Sequence, residues 1–235
     1  MTSICWRREG AQVEAEACER LRAARIAANI SLRELSRRVG ISASMLSQIE
    51  NGRAQPSVAT LYALVSALSL SLDELLSGEQ RGPAAAAEGT SSPLVTPADR
   101  ARLVMDTGVI WERLTAGPDP LVDALFVTYP PGSCSSSGGG LMSHSGREYA
   151  YLIQGRLTVH LGFETFVLEP GASTSFDSAI PHSYVNREDE PAFGLWHVVG
   201  RDPAVAAAPP MAGPADSAPQ PGIEHTRRSK SAKYG

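Results

Sequence analysis

Residues 144–155 read HSGREYAYLIQG, and residues 170–186 read PGASTSFDSAIPHSYVN. The first stretch places an imidazole, His144, four residues before a carboxylate, Glu148. Alternate residues of a strand share a face, so Met142, His144 and Glu148 can all point into one interior. His182 and Asn186 are also four apart and share a face of one strand. An imidazole and a carboxylate at this spacing can form half of a metal site. They can equally belong to an ordinary strand that ends in a turn at Gly155. A different chemistry lies upstream, in SLRELSRRVGISASMLSQIENGRAQPS, residues 31–57. Its second helical segment turns Ala43, Ser44, Ser47 and Gln48 outward, and none of these is acidic. A glutamine can make a bidentate contact to adenine in the major groove. Asn51 and Arg53, just past that segment, are placed to hold phosphates. Ser31 and the free N–H groups at its helix start can do the same.

The elements that position these residues can be read from the same pattern. Ser31 with Glu34 predicts a capping box and a helix from Leu32. Leu32, Leu35 and Val39 fall on one face at helical spacing, and Gly40 permits the left-handed stop. Ser42 caps the next helix, whose buried face is Met45 or Leu46 with Ile49. Ser36 is small where two helices must cross. Asn51-Gly52 ends this helix, Pro56-Ser57 opens another, and Ser71 with Glu74 predicts a second capping box. Two short helices joined by a tight glycine turn are a helix-turn-helix, whose second helix would enter the major groove. From about residue 101 the texture changes to β-branched and aromatic runs broken by Gly, Pro and Asp, such as LVDALFVTYPPG and TFVLEPG. Short strands at this spacing predict an all-β barrel or sandwich. His160 and His197 have no constellation around them and read as strand residues. Tyr149, Tyr151 and Trp196 read as core or interface aromatics.

Two resemblances follow from these motifs. LRELSRRVGISASMLSQIENGRAQPSVATLYALVSALSLSLDELL resembles the five-helix DNA-binding domain of the lambda-repressor-like, or XRE, family. His144, Glu148 and Gly155, then Gly171, Pro181-His182 and Asn186, resemble the two motifs of the cupin superfamily, a small β-barrel or jelly roll. Met142 stands where that family usually has a first histidine, and Asp177 and Ala179 replace the proline and glycine of its second turn. The resemblance therefore implies three ligands, His144, Glu148 and His182, in place of four. Such a set suits ferrous iron or zinc with open positions. The alternative is a metal-free pocket, in which Met142, His144, Glu148, His182 and Asn186 face an organic effector. Met142 is a soft thioether and reads as core filler beside that pocket.

Net charge is −4 over 235 residues, yet residues 18–56 carry seven arginines against three glutamates, a local balance of +4. DNA binding follows the local field. No run is long and apolar enough for a membrane helix, and the start lacks the apolar run of a secretory signal. Cys5, Cys18 and Cys134 form neither a disulfide framework nor a zinc spacing; the expected setting is the cytoplasm. The expected order is an N-terminal tail (1–17), a helix-turn-helix domain (18–78), a flexible linker (79–100), a cupin domain (101–200) and a disordered tail (201–235). The two domains are expected to have separate cores. The combination resembles helix-turn-helix regulators with a C-terminal cupin. It implies a homodimer through the cupin, a double-stranded operator and a small-molecule or metal effector. The alternative is a non-haem iron enzyme, because a phosphonate epoxidase that also joins a helix-turn-helix-like domain to a cupin shares the His144-x-Gly146-x-Glu148 pattern. The intact outward face around Gln48 favours the regulator.

Overall fold

The computed structural model describes residues 6–70, 72–76, 93–117, 119 and 121–200, with the side chains of 6–14, 73 and 74 outside that description. The Ser71–Glu74 capping box, Cys5, most of the expected linker and the tail from 201 lie outside the described residues. Four helices of eight residues or more come first: α1 (Trp6–Ala27), α2 (Leu32–Val39), α3 (Ala43–Glu50) and α4 (Val58–Ala67). A short α5 (Leu72–Leu76) closes the helical part. The first helix starts inside the segment expected to be a tail, because Ala17 and Leu21, one turn apart, are buried against the bundle.

The helix boundaries follow from side-chain chemistry. Ser31 accepts from the Glu34 amide at 3.1 Å and Ser42 from the Met45 amide at 3.0 Å. Each satisfies an orphan donor of the first turn. The expected capping box at Ser31 is only half formed, since the Glu34 carboxylate accepts from Arg37 and Arg38 instead. Gly40 takes φ 77°, the left-handed stop that turns α2 into α3. Ser36 is buried at the helix crossing, and Leu46 with Ile49 forms the inner face of α3. Met45 is 43% exposed, which settles the choice between it and Leu46.

The β part contains β1 (Arg102–Val104), β2 (Ile110–Arg113), β3 (Val122–Tyr129), β4 (Arg147–Gln154), β5 (Leu157–Leu161), β6 (Glu164–Leu168), β7 (Ser173–Asp177), β8 (His182–Val185) and β9 (Ala192–Val199). A six-stranded sheet in the order β1-β2-β3-β9-β4-β7 accompanies a three-stranded sheet in the order β6-β5-β8. Every pairing is antiparallel. Strict alternation along β3, β4 and β9 sends one set of side chains inward. At Gly194 on β9 a Cβ would lie 2.2 Å from the Tyr151 carbonyl oxygen, so only glycine lets β4 and β9 approach this closely.

The two parts do not have separate cores. Buried residues of the helices and of the barrel form one apolar cluster. The Ala59 amide of α4 donates to the Ser135 carbonyl at 3.0 Å, and the Asp106 amide donates to the Pro56 carbonyl at 3.1 Å. Tyr62 of α4 meets Trp111 of β2 edge-on, with centroids 5.3 Å apart. The expectation of independence failed because α4 is apolar on all sides, and a helix of that kind is covered on all sides. Eight of its ten residues are buried.

One ion pair holds the helical part in shape. Arg25 of α1 donates to both oxygens of Glu50 at the end of α3, at 2.6 and 2.8 Å, and also to the Ile30 carbonyl at 3.0 Å. The side chains are only 12% and 3% exposed. Removing one partner of a buried pair leaves the other charge uncompensated. Arg25→Ala is therefore expected to destabilise the folded chain by about 3–5 kcal/mol in urea unfolding, and Arg25→Met with Glu50→Leu by much less. An Arg25→Ala midpoint unchanged from wild type would show that the pair does not hold α3.

Candidate functional site

His144, Glu148 and His182 converge in the barrel interior, 3%, 2% and 0% exposed. Three elements bring them together. The His144 amide donates to the Ser178 carbonyl at 3.0 Å, and the Ser178 amide to the Gly146 carbonyl at 2.9 Å, which pins the His144 segment to the turn between β7 and β8. Met142 and His182 exchange two backbone hydrogen bonds of 2.8 Å. The turn itself is built by Asp177, whose carboxylate accepts from the Ala179 amide at 2.9 Å. A side-chain turn thus replaces the proline and glycine that the cupin pattern would use there.

Each histidine is oriented by its other ring nitrogen. Nδ1 of His144 lies 3.1 Å from the Ser145 carbonyl, and Nδ1 of His182 lies 2.8 Å from the Ile180 carbonyl. A carbonyl only accepts, so Nδ1 carries the proton in both rings. Each Nε2 then presents a lone pair. The two Nε2 atoms stand 3.3 and 3.4 Å from Oε2 of Glu148 and make no hydrogen bond of their own. One ligand atom from each of the three residues lies within 4.8 Å of the others. Two buried lone pairs and a carboxylate oxygen aimed at one point fit a divalent cation. The backbone-anchored imidazoles are the outer-shell arrangement that metal-binding histidines need.

The remaining oxygen of Glu148 is also fixed. Tyr184 Oη donates to Oε1 at 2.6 Å. Burial, then the neighbouring Glu148 charge, pushes the Tyr184 phenol well above its ordinary range, so it stays a donor. Burial alone would raise the Glu148 carboxyl. The adjacent His182 and His144 rings outweigh that and hold it below the ordinary carboxylate range.

Other expected residues fall elsewhere. Asn186 does not reach the cluster. Its amide nitrogen donates to the Tyr129 and Glu190 carbonyls, both at 2.8 Å, and its oxygen accepts from the Glu188 amide at 3.0 Å. It is a buried staple for the turn into β9, with its capacity used on backbone. Met142 lines a small internal cavity with Val58, Tyr62, Trp111 and Glu148, and is otherwise core. His160 bonds Thr165, and His197 sits at register position Tyr149 on the outer side of β9. Trp196 is buried, whereas Tyr149 and Tyr151 are 44% and 45% exposed on the outer face of β4. Two neighbours of the site escaped the sequence reading. Tyr184 was detectable, being two residues from His182 on the same face of β8. Tyr62 stacks on the His144 ring, with centroids 4.0 Å apart and planes 13° apart, and belongs to the helical part.

On that part Ser31, Ser42, Ser44, Gln48, Asn51 and Arg53 are exposed, and Ala43 and Ser47 half-buried. Met45 joins them on the outer surface. The Asn51 side-chain nitrogen donates back to the Ser47 carbonyl at 2.7 Å, so it helps to end α3. The Arg53 amide closes on the Gln48 carbonyl at 2.8 Å, which fixes the start of the following loop.

The family models named Helix-turn-helix (HTH_3) and Cupin domain match residues 21–75 and 125–198. The HTH-type transcriptional regulator DdrOP3 of Deinococcus deserti is 32% identical over 93 residues, covering 38% of this chain and 72% of its own. The chain belongs to the XRE-like helix-turn-helix transcriptional regulators with a C-terminal cupin domain. The HTH-type transcriptional regulator PuuR of Escherichia coli is 25% identical over 158 residues, 67% of this regulator and 80% of that protein. An HTH_3 family transcriptional regulator from Vibrio cholerae shares the fold, with TM-score 0.56 and 20% identity over 82% of this chain and 99% of that one. Among the described residues of the regulator no helix is long and apolar enough to cross a membrane.

A proton and a metal cannot share one Nε2 lone pair, so occupancy of the three-residue site is expected to fall on acidification. The sign for Glu148 is the same. Its carboxyl is held down in the folded state, so the stability it contributes is present above the ordinary carboxylate pKa and lost only below it. Tyr184→Phe is expected to weaken zinc binding by about 10–100-fold. Titration calorimetry from pH 5 to 8 checks both. Affinity independent of pH, or unaffected by Tyr184→Phe, would place bound metal somewhere else.

Proposed function

We propose that this DNA-binding transcription regulator reads its operator with α3 and the loop after it, and that its cupin senses a divalent metal ion or a small molecule at His144, Glu148 and His182. The observation that supports sensing most directly is the convergence of both buried Nε2 atoms on one oxygen of Glu148, at 3.3 and 3.4 Å, with the three groups within 4.8 Å of one another. The DNA-reading proposal is supported by the outer face of α3. Ser44 and Gln48 stand clear of the core, no acid lies among the outward residues, and the Ser42-capped start of the helix is exposed. Gln48 is the residue for base contact; Arg53 and Ser31 are suited to the backbone.

The regulator acts as a homodimer in this proposal. Tyr149, Tyr151 and Ile153 form an apolar row along the outer face of β4, each 44–45% exposed. Pairing two such faces would set two copies of α3 on the half-sites of one operator, about one helical turn of DNA apart. An effector then acts by stabilising one arrangement of the two α3 helices over another. The enzyme alternative is separated by the same protein: loaded with ferrous iron, an epoxidase would consume oxidant with a phosphonate whether or not DNA is present.

Operator selection from a random library at low salt is the test. The selected site should be two-fold symmetric. Gln48→Ala should relax preference at one base position, at a cost of about 1–3 kcal/mol. Arg53→Ala should weaken all sequences alike and reduce the salt slope by about 1. His144→Ala should keep operator affinity and lose the response to metal. Tyr151→Asp should yield monomers in sedimentation. Failure to enrich any sequence would end the operator proposal, and an unaltered metal response in His144→Ala would end the sensing proposal.

A further inference from the structure

The mouth of the barrel is occupied by the helical part. The Tyr62 ring lies flat on His144 at 4.0 Å and edge-on to Trp111 at 5.3 Å. Val58, one turn earlier on α4, lines the same interior as Tyr62, beside Trp111, Met142 and Glu148. The space left among these residues is about 10 Å³. That is room for one water molecule or an ion and for nothing larger. An organic molecule of even a few heavy atoms has no place beside Glu148 while Tyr62 is seated.

We propose that Tyr62 is a plug carried by the DNA-binding part, so that docking of α4 on the barrel and entry of any ligand larger than a water molecule are mutually exclusive. This rests on the sensing role proposed for the same pocket and specifies its regulation. The slot that Tyr62 would vacate is bounded by the His144 face and the Trp111 edge, which suits a single flat ring or a compact planar anion. Leaving it requires α4 to part from the barrel. The same movement breaks the bonds from Ala59 to Ser135 and from Asp106 to Pro56. Pro56 lies three residues after Arg53 and directly before Ser57, the N-cap of α4. Ligand entry therefore releases the end of the loop that follows α3. The coupling is steric and local, and it needs no relay through the sheets.

The full-length regulator loaded with cobalt(II) and titrated with azide tests this, with the cobalt absorption bands as readout. Azide needs more room than one water. If the plugged form dominates, apparent azide affinity should be about tenfold or more weaker in wild type than in Tyr62→Ala. Tyr62→Phe, which keeps the ring, should lie far closer to wild type than Tyr62→Ala. Equal azide affinity in wild type and Tyr62→Ala would overturn the plug. Hydrogen exchange provides an arm that needs no variant. In wild type the Ala59 and Asp106 amides should be protected together, and saturating azide on the cobalt protein should expose both while the β3–β9 amides stay closed. Azide binding that leaves those two amides protected would overturn the proposal. So would finding them unprotected in the metal-free protein. If no cobalt binds but the two amides are protected and open in Tyr62→Ala, the metal site fails and the plug stands.

Discussion

Two imidazole lone pairs and a carboxylate oxygen aimed at one point in a buried interior repel one another. The arrangement around His144, Glu148 and His182 follows from that constraint. Backbone carbonyls hold both Nδ1 protons, so neither ring can turn away and relieve the crowding. Tyr184 occupies the second oxygen of Glu148, which directs the first toward the rings. The segment bearing His144 is stitched to the β7–β8 turn and to β8 by main-chain hydrogen bonds. Such preorganisation concentrates negative potential where a cation can be held, and the low dielectric of the interior strengthens it.

The same pocket is where the two halves of the chain meet. Helix α4 contributes Leu61, Leu64 and Val65 to the apolar cluster and presents Val58 and Tyr62 to the barrel cavity. A helix buried on one stripe has a free outer face; this one has none, and the covering it finds is a β-sheet domain. The Arg25–Glu50 pair fixes α3 to α1 independently of the barrel. The α3 surface is therefore held in place by a contact that the barrel does not supply.

Much of this was legible in the chain. Ser31, Gly40 and Ser42 marked the helix-turn-helix because caps and left-handed stops are local chemistry, decided within four residues. His144, Glu148 and His182 were found because strand alternation carries side-chain direction with it. Asn186 was misplaced because motif spacing says where a residue sits on a strand and nothing about which backbone groups nearby lack partners. Tyr184 obeyed the alternation that located His182 and could have been read from it. Tyr62 could not be read in that way. Its contact with His144 spans 82 positions and two folding units, and no local period records a docking of that kind. The all-round apolar character of VATLYALVSA was the one trace of it.

Because α4 belongs to both halves, the two parts of this chain are not freely interchangeable modules. A chimera joined in the segment between α5 and β1 would look sound on paper, each half keeping its own elements. It would nevertheless set a foreign α4 against Trp111 and the His144 ring. Transplanting the DNA specificity of this chain onto another cupin would require carrying over Val58, Ala59 and Tyr62, or recutting the receiving barrel around them. The natural seam in the molecule therefore runs along packed faces, that of α4 at the barrel cavity and that of α1 on β1.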